Sequence, residues 1–239
     1  MQSEVQSGTE KHLISVIIPT LNEEYSIEQV LKLIPYNELQ PVEVIVIDGG
    51  SSDGTIEIAK ALGASVKRQA KPGYSRALVE ATSHARGEVL VFIDGDGVYD
   101  PREIPRLLSL MKEANADLVI GSRYLGTIQP GTIPLLRLIG NKLLNLLFTL
   151  LLGTSITDAF SGFMVAKKSI VTKLRMLSEP LPEPIQYAII AGVHQKGGKV
   201  VEVPITFYSR IGRTKLSPST RILRILLSFL RIVYLERSF

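Results

Sequence analysis

Short runs of β-branched and apolar residues alternate with stretches in which apolar positions recur every three or four residues, and this alternation fills the first half of the chain. The runs predict strands near residues 13–18, 42–47, 65–67, 89–93 and 118–120. The periodic stretches predict helices near 26–33, 54–62, 75–83 and 104–114. Strands that alternate with helices in this way point to an α/β fold with a mostly parallel, Rossmann-like sheet flanked by helices. Most of the strands are almost continuously apolar, as expected of a sheet covered on both faces.

The second half is less regular. It predicts a long apolar helix from about residue 133, a strand at 163–166, a helix at 185–193 and a strand at 199–204. The segment 178–184, SEPLPEP, reads as a turn within the domain. Beyond residue 217 the chain reads as one amphipathic helix in which Arg221, Arg224, Ser228 and Arg231 form a narrow polar stripe on an apolar cylinder. The expected organisation is one catalytic domain over residues 1–216 and a basic amphipathic interfacial helix over 217–239.

Composition narrows the class. With 239 residues, 45% hydrophobic and 21% charged, the chain has the balance of a globular protein and not of a disordered one. The absence of cysteine excludes a disulfide framework, a cysteine zinc site and a thiol nucleophile, and makes a cytoplasmic protein the default expectation. The first residues carry acids and no apolar core of a secretory signal.

Net charge is +4, and its excess is concentrated at the end, where residues 204–239 hold seven Lys or Arg against the single acid Glu236. A basic, Leu- and Ile-rich helix suits the headgroup plane of a membrane, with arginines reaching lipid phosphates. A core or dimer-packing helix is the other reading of that pattern. Nucleic acid is the poorer partner, because the tail lacks the interleaved aromatic and polar residues of a base-stacking surface. The apolar segments 143–152 and 222–235 contain 10 and 14 residues, short of the roughly 20 a membrane-crossing helix needs.

Ligands of open parallel sheets bind at the carboxyl ends of the strands. Three acid-bearing clusters fall there: PTLNEE with Pro19, Thr20, Asn22 and Glu23; IDGGSSDGT with Asp48; and FIDGDG with Asp94, Gly95 and Asp96. Asp94 and Asp96 stand two apart, on one face of a strict strand, and their glycine neighbours let both converge on a hard cation such as Mg²⁺ or Mn²⁺. A turn that caps the helix before Pro101 is the alternative. Asp48 stands where it would accept from a base or a ribose hydroxyl. No Walker loop and no G-x-G-x-x-G after the first strand occur, which argues against a P-loop ATPase and a dinucleotide oxidoreductase. His12, His84 and His194 are isolated, and no nucleophile elbow is present.

In order and approximate spacing, VIIPTLNEE, VIVIDGGSSDGT, KPGYSRAL, ARGEVLVFIDGDG, ADLVIGSRY, TDAFSGF and FYSRIGRTKL resemble the inverting glycosyltransferases of family 2, in particular the dolichyl-phosphate mannose synthase-like enzymes. The resemblance covers most of the chain and implies the GT-A nucleotide-sugar fold. It implies that Pro19, Thr20, Asn22, Glu23, Asp48, Gly73, Gly95 and Lys215 surround the nucleotide, and that Asp94 and Asp96 engage metal and diphosphate. Arg123, Arg137 and Arg210 would be cations near the transferred phosphate and the leaving diphosphate, although a surface ion pair also explains Arg137. Two positions depart from the family pattern: Val98 replaces a glutamine after the metal motif, and Met164 replaces the arginine of SGFR. The segment 140–148, GNKLLNLLF, looks more like relatives that use UDP-glucose or UDP-N-acetylglucosamine than GDP-mannose, and all three donors stay open.

A sugar hydroxyl needs a general base to attack at neutral pH, whereas a monophosphate is already anionic. Together with the apolar segments, this favours a polyprenyl phosphate such as dolichyl phosphate as acceptor, at the cytoplasmic face of a membrane. Asp158 in TDAFSGF is a candidate base or sugar-binding carboxylate, or else a turn residue. Two other functions fit the residues: a soluble family 2 transferase with a glycan or small-alcohol acceptor and Asp158 as base, and a nucleotide-sugar-binding regulator without catalysis. The sequence leaves oligomeric state open.

Overall fold

The computed structural model describes residues 13–174 and 185–212, together with Ile225 and Leu227. The N-terminal segment, the 178–184 turn, Lys215 and the arginines of the 217–239 helix lie outside the described residues. Ile225 and Leu227 are both helical, the first packed into the core and the second exposed.

Strands β1 (Ile14–Thr20), β2 (Val42–Asp48), β3 (Ser65–Arg68), β4 (Val89–Phe92), β5 (Leu118–Ile128), β6 (Met164–Lys167) and β7 (Val200–Phe207) make one sheet in the order β3-β2-β1-β4-β6-β5-β7. Every neighbouring pair is parallel except those of β6, which runs antiparallel to β4 and β5. Helices α1 (Ile27–Lys32), α2 (Thr55–Ala61) and α4 (Ile104–Glu113) cover one face, and α3 (Tyr74–His84), α5 (Leu135–Leu152) and α7 (Ile185–Gln195) the other; the short α6 (Lys168–Val171) follows β6.

Strand residues divide between the two cores by parity. Ile17, Ile45, Ile47 and Phe92 face α3 and α7, while Val16, Ile18, Val44 and Val46 face α1, α2 and α4. This is why the strands read as unbroken apolar runs.

The chain order places a switch point between β1 and β4, because β2 and β3 extend to one side and everything after β4 to the other. Parallel pairing of β1 with β2 and β4 puts all three carboxyl ends at one edge. Antiparallel β6 brings its beginning to that edge, and β5 and β7 bring their ends.

Two elements exceed the sequence expectation. Strand β5 continues to Ile128 instead of ending at residue 120, pairing with β7 through Ser122 and again from Thr127 after an irregularity. The polar stretch Ser122–Thr127 has no apolar alternation, so periodicity does not show it. Gly126 permits the extension: a Cβ there would stand 1.9 Å from the Ile205 carbonyl oxygen. Helix α5 runs for 18 residues, so the 10-residue segment 143–152 is only its second half, and the expectation that it is too short to span is corrected. By length and composition alone α5 is long and apolar enough to cross a membrane, and 11% of it is buried. The long apolar helix expected from about residue 133 is thus found, beginning at Leu135 and running through Gly140, Asn141 and Lys142.

Substitution Gly126→Ala is expected to destabilise the protein by about 1–3 kcal/mol or more, because a backbone atom cannot yield as a side chain does. Chemical denaturation measures it.

Candidate active site at the switch point

The loop after β1 and the loop after β2 are sewn together. Ser51 Oγ accepts from Asn22 N (2.7 Å), Asn22 Oδ1 from Ser52 N (2.7 Å), Thr55 Oγ1 from Glu23 N (2.7 Å), and Glu24 Oε2 from Gly54 N (3.1 Å). Asp48 anchors this seam and is fully buried. Its Oδ1 accepts from Gly50 N (2.9 Å) and Ser51 N (2.8 Å), and its Oδ2 from Thr20 Oγ1 (3.0 Å) and Ser51 Oγ (2.5 Å). The expectation that Asp48 accepts from a nucleotide is therefore corrected: four protein donors occupy its oxygens, and it organises the loop.

The DGDG segment follows β4 directly. Gly95 packs on Thr20 and Ile18 beneath the end of β1, near the half-buried Pro19, and its carbonyl accepts from Ser26 Oγ (2.8 Å). Asp94 Oδ1 accepts from the Tyr74 hydroxyl (2.8 Å) at the start of α3, which Gly73 caps at φ +133°. On the other side of Asp94 lies Gly162 of TDAFSGF, where a Cβ would stand 2.5 Å from Oδ2. Asp96 binds Arg210 Nη1, while Nη2 of the same guanidinium binds Glu23 Oε1. Arg210 reaches this place because the segment after β7 is pinned to the loop, with Tyr208 N donating to Val98 O (2.9 Å) and Ile211 N to Asp96 O (3.1 Å).

Burial and the Asp96 charge push the Asp94 carboxyl up to about 7, against the opposing effects of Tyr74, Arg123 and Arg210. Asp96 is also raised, by burial, with Arg210 pulling the other way. Two crowded oxygen donors suit a hard divalent cation. Among the described residues no cluster of three His, Cys, Asp or Glu exists, so diphosphate oxygens and water would complete the coordination. The Nε of Arg210 is a buried donor without a partner among the described residues, which suits an anionic oxygen at this place.

Arg123 and Asp158 form a buried fork. Asp158 is fully buried, and its oxygens accept from Arg123 Nε (2.7 Å), Nη2 (2.7 Å) and backbone N (2.9 Å). Asp158 is not available as a base, which corrects that expectation. Glu202 of β7 fixes the same turn by accepting from Thr157 N (2.8 Å), Thr157 Oγ1 (2.9 Å) and Asp158 N (3.0 Å). Asn145 of α5 holds it from the other side through Ile156 O and Ala159 N, both at 2.8 Å.

Arg137 is exposed on the first turn of α5, close enough to act on the Tyr124 phenol, and it is not brought to the carboxylates. The side chains of Val98 and Met164 are buried in the two cores and offer the site no polar group, while the backbone N–H of Val98 donates to Asp96 Oδ1 (3.3 Å). Sequence reasoning missed Tyr74, Gly162, Glu202 and Asn145. Tyr74 in KPGYSRAL, Asn145 in GNKLLNLLF and Gly162 in TDAFSGF stand in segments already noted, but their partners are distant in sequence.

Gly162→Ala is expected to displace Asp94 and abolish metal-dependent nucleotide binding at a stability cost of about 1–3 kcal/mol, read by calorimetric titration and denaturation. Because folding raises the Asp94 pKa from 3.8 to about 7, its contribution favours the metal-free fold fully in acid and is lost as pH rises through about 7. Asp94→Asn should therefore be more stable than the parent at pH 8 in chelator, with the difference vanishing near pH 4, as urea denaturation would show.

Residues 15–175 match the model of Glycosyl transferase family 2. Low-salt glycan biosynthesis hexosyltransferase Agl6 of Haloferax volcanii is 32% identical over 85% of the chain and 49% of its own length. The dolichol-phosphate mannosyltransferase of Pyrococcus furiosus is 32% identical over 92% of the chain and 62% of its own. The polyprenol monophosphomannose synthase of Mycolicibacterium smegmatis is 33% identical over 85% and 81%. The chain thus spans about half to two-thirds of the length of the first two of these relatives. Glucosyl-3-phosphoglycerate synthase from Mycobacterium tuberculosis, solved with Mn²⁺, uridine-diphosphate-glucose and phosphoglyceric acid, shares the fold with a TM-score of 0.74 at 23% identity, over 93% of this chain and 80% of that one. The sheet with its single reversed strand is the GT-A architecture, and the chain belongs to glycosyl transferase family 2.

Proposed function

We propose that the chain catalyses inverting transfer of a hexose from a nucleoside diphosphate sugar to a polyprenyl phosphate, with Mg²⁺ or Mn²⁺, at the cytoplasmic face of a membrane. The observation that carries this reading is the pairing of Asp158 with Arg123 beside a carboxylate pair and a partly unpaired guanidinium. The site has cations and metal ligands, and its candidate base is committed elsewhere. A phosphate acceptor needs no base. The names of the Pyrococcus and Mycolicibacterium relatives support the acceptor class.

Asp94 and Asp96 would hold the cation, which when bound offsets the charge of the diphosphate. Glu23 and Asp96 fix the guanidinium of Arg210, whose Nε, a buried donor without a partner among the described residues, would serve an anionic oxygen. Arg123, half-ringed by Tyr124 and Phe207, adds positive potential without moving. An acceptor phosphate oxygen attacks the anomeric carbon from the side opposite the diphosphate; the new C–O bond forms as the old one breaks, and the diphosphate leaves with the electron pair. The donor is one of UDP-glucose, UDP-N-acetylglucosamine and GDP-mannose. The 140–148 segment, which resembles relatives that use UDP-sugars, lies on α5, where Asn145 braces the Asp158 turn.

Helix α5 supports the membrane reading. It turns Asn145, Phe148 and Thr149 inward and leaves Leu135, Leu136, Ile139, Leu143, Leu146 and Leu150 exposed, the reverse of a helix on a water-facing domain. An apolar outer face of that kind suits the headgroup–acyl boundary, with Arg137 at its start near Tyr124. The soluble-acceptor reading loses its base at Asp158. The regulator reading rested on Val98 and Met164, which are core residues and leave both carboxylates in place.

Incubation with Mn²⁺, dolichyl phosphate in detergent and each labelled donor is expected to carry label into organic solvent with one donor. Chelator or Asp96→Ala should abolish it. Label in soluble acceptors alone would overturn the reading. Leu136→Glu combined with Leu143→Glu should lower retention on anionic liposomes at least severalfold in a flotation assay, with chemistry toward a water-soluble phosphate acceptor retained.

A further inference from the structure

The two carboxylates at the switch point are held by different kinds of partner. Asp96 has a full positive charge against it, Arg210, whereas Asp94 has a neutral phenol, Tyr74, at 2.8 Å from Oδ1. A neutral donor fixes the orientation of a carboxylate and leaves its charge to the site. Tyr74 is itself held. Its oxygen accepts from Gln186 Nε2 of α7 at 3.0 Å, and Gln186 is 4% exposed. Among the described residues the amide oxygen of Gln186 has no partner, and its Nε2 donates to Tyr74. A half-satisfied amide is a stability liability at a core position, and what it secures is the direction of the phenol. Gly162 closes the other side of Asp94, so the carboxylate lies between a hydroxyl and a bare α-carbon.

We propose that Tyr74 and Gln186 are a positioning pair that aims Asp94 at the metal–diphosphate unit of the donor. The proposal rests on the function proposed above and adds two residues, on α3 and α7, that touch neither sugar nor acceptor in it. Hydrogen bonds to charged groups contribute enough that losing one shifts an equilibrium about tenfold.

The test is titration of the full chain with Mn²⁺ in the presence of UDP or GDP, followed by electron paramagnetic resonance of free Mn²⁺. Tyr74→Phe is expected to weaken Mn²⁺ about tenfold, with UDP or GDP affinity in chelator and melting temperature unchanged, and to raise the Mn²⁺ concentration needed for half-maximal turnover more than it lowers kcat. Gln186→Leu should show the same change at smaller size, and the double variant should be no worse than Tyr74→Phe. Parental Mn²⁺ affinity in Tyr74→Phe overturns the proposal and leaves the metal site standing. Equal loss of Mn²⁺ and of metal-free nucleotide binding also overturns it, as a plain packing role. A parent chain that binds no Mn²⁺ with either nucleotide overturns this proposal and the function reading together.

Discussion

Two like charges two residues apart, at the end of a buried strand, are the constraint around which the rest of the site is arranged. Burial and mutual repulsion both oppose ionisation of Asp94, and burial opposes that of Asp96. The surrounding structure answers with an arginine delivered from 114 residues away and a phenol from the start of α3. Those answers are incomplete, because Asp94 stays raised and Arg210 Nε stays unpaired among the described residues. An incompletely satisfied cluster of opposite charges suits a cation and an anion together, which is what the proposed metal-bound diphosphate would bring.

Topology makes the convergence possible. Parallel β1, β2 and β4 can deliver only the loops that follow them to the carboxyl edge. Reversing one strand, β6, lets the loop that precedes it reach the same edge, and so Gly162 lies against Asp94. The TDAFSGF turn must then be rigid. Asp158 with Arg123, Glu202 with Thr157, and Asn145 with Ala159 fasten it to β5, β7 and α5 respectively. Its carboxylate contributes by bracing, and the chemistry is left to groups that are less fully paired.

Helix α5 joins two tasks. Its inner face carries Asn145, which braces the Asp158 turn, while its outer face exposes a row of leucines. In the proposed reading, where the acceptor is anchored in lipid, this couples the exposed apolar face of α5 directly to the turn beside Asp94.

The amino-acid sequence by itself determined the helix–strand alternation of the first half, because apolar periodicity is local and both faces of a parallel sheet demand it. It also determined that the loops holding Glu23, Asp48, Asp94 and Asp96 share one edge, since parallel strands leave no other arrangement. What Asp48 and Asp158 do was decided only by tertiary structure. A carboxylate's role depends on which donors surround it, and those of Asp158 come from 35 residues away while Arg210 meets Glu23 across 187. The extension of β5 was hidden for a related reason, whereas the long helix α5 was legible from about residue 133. In β5, pairing with β7 overrides a polar stretch. Local pattern places the elements; the charges find their partners only when the sheet has brought its edges together.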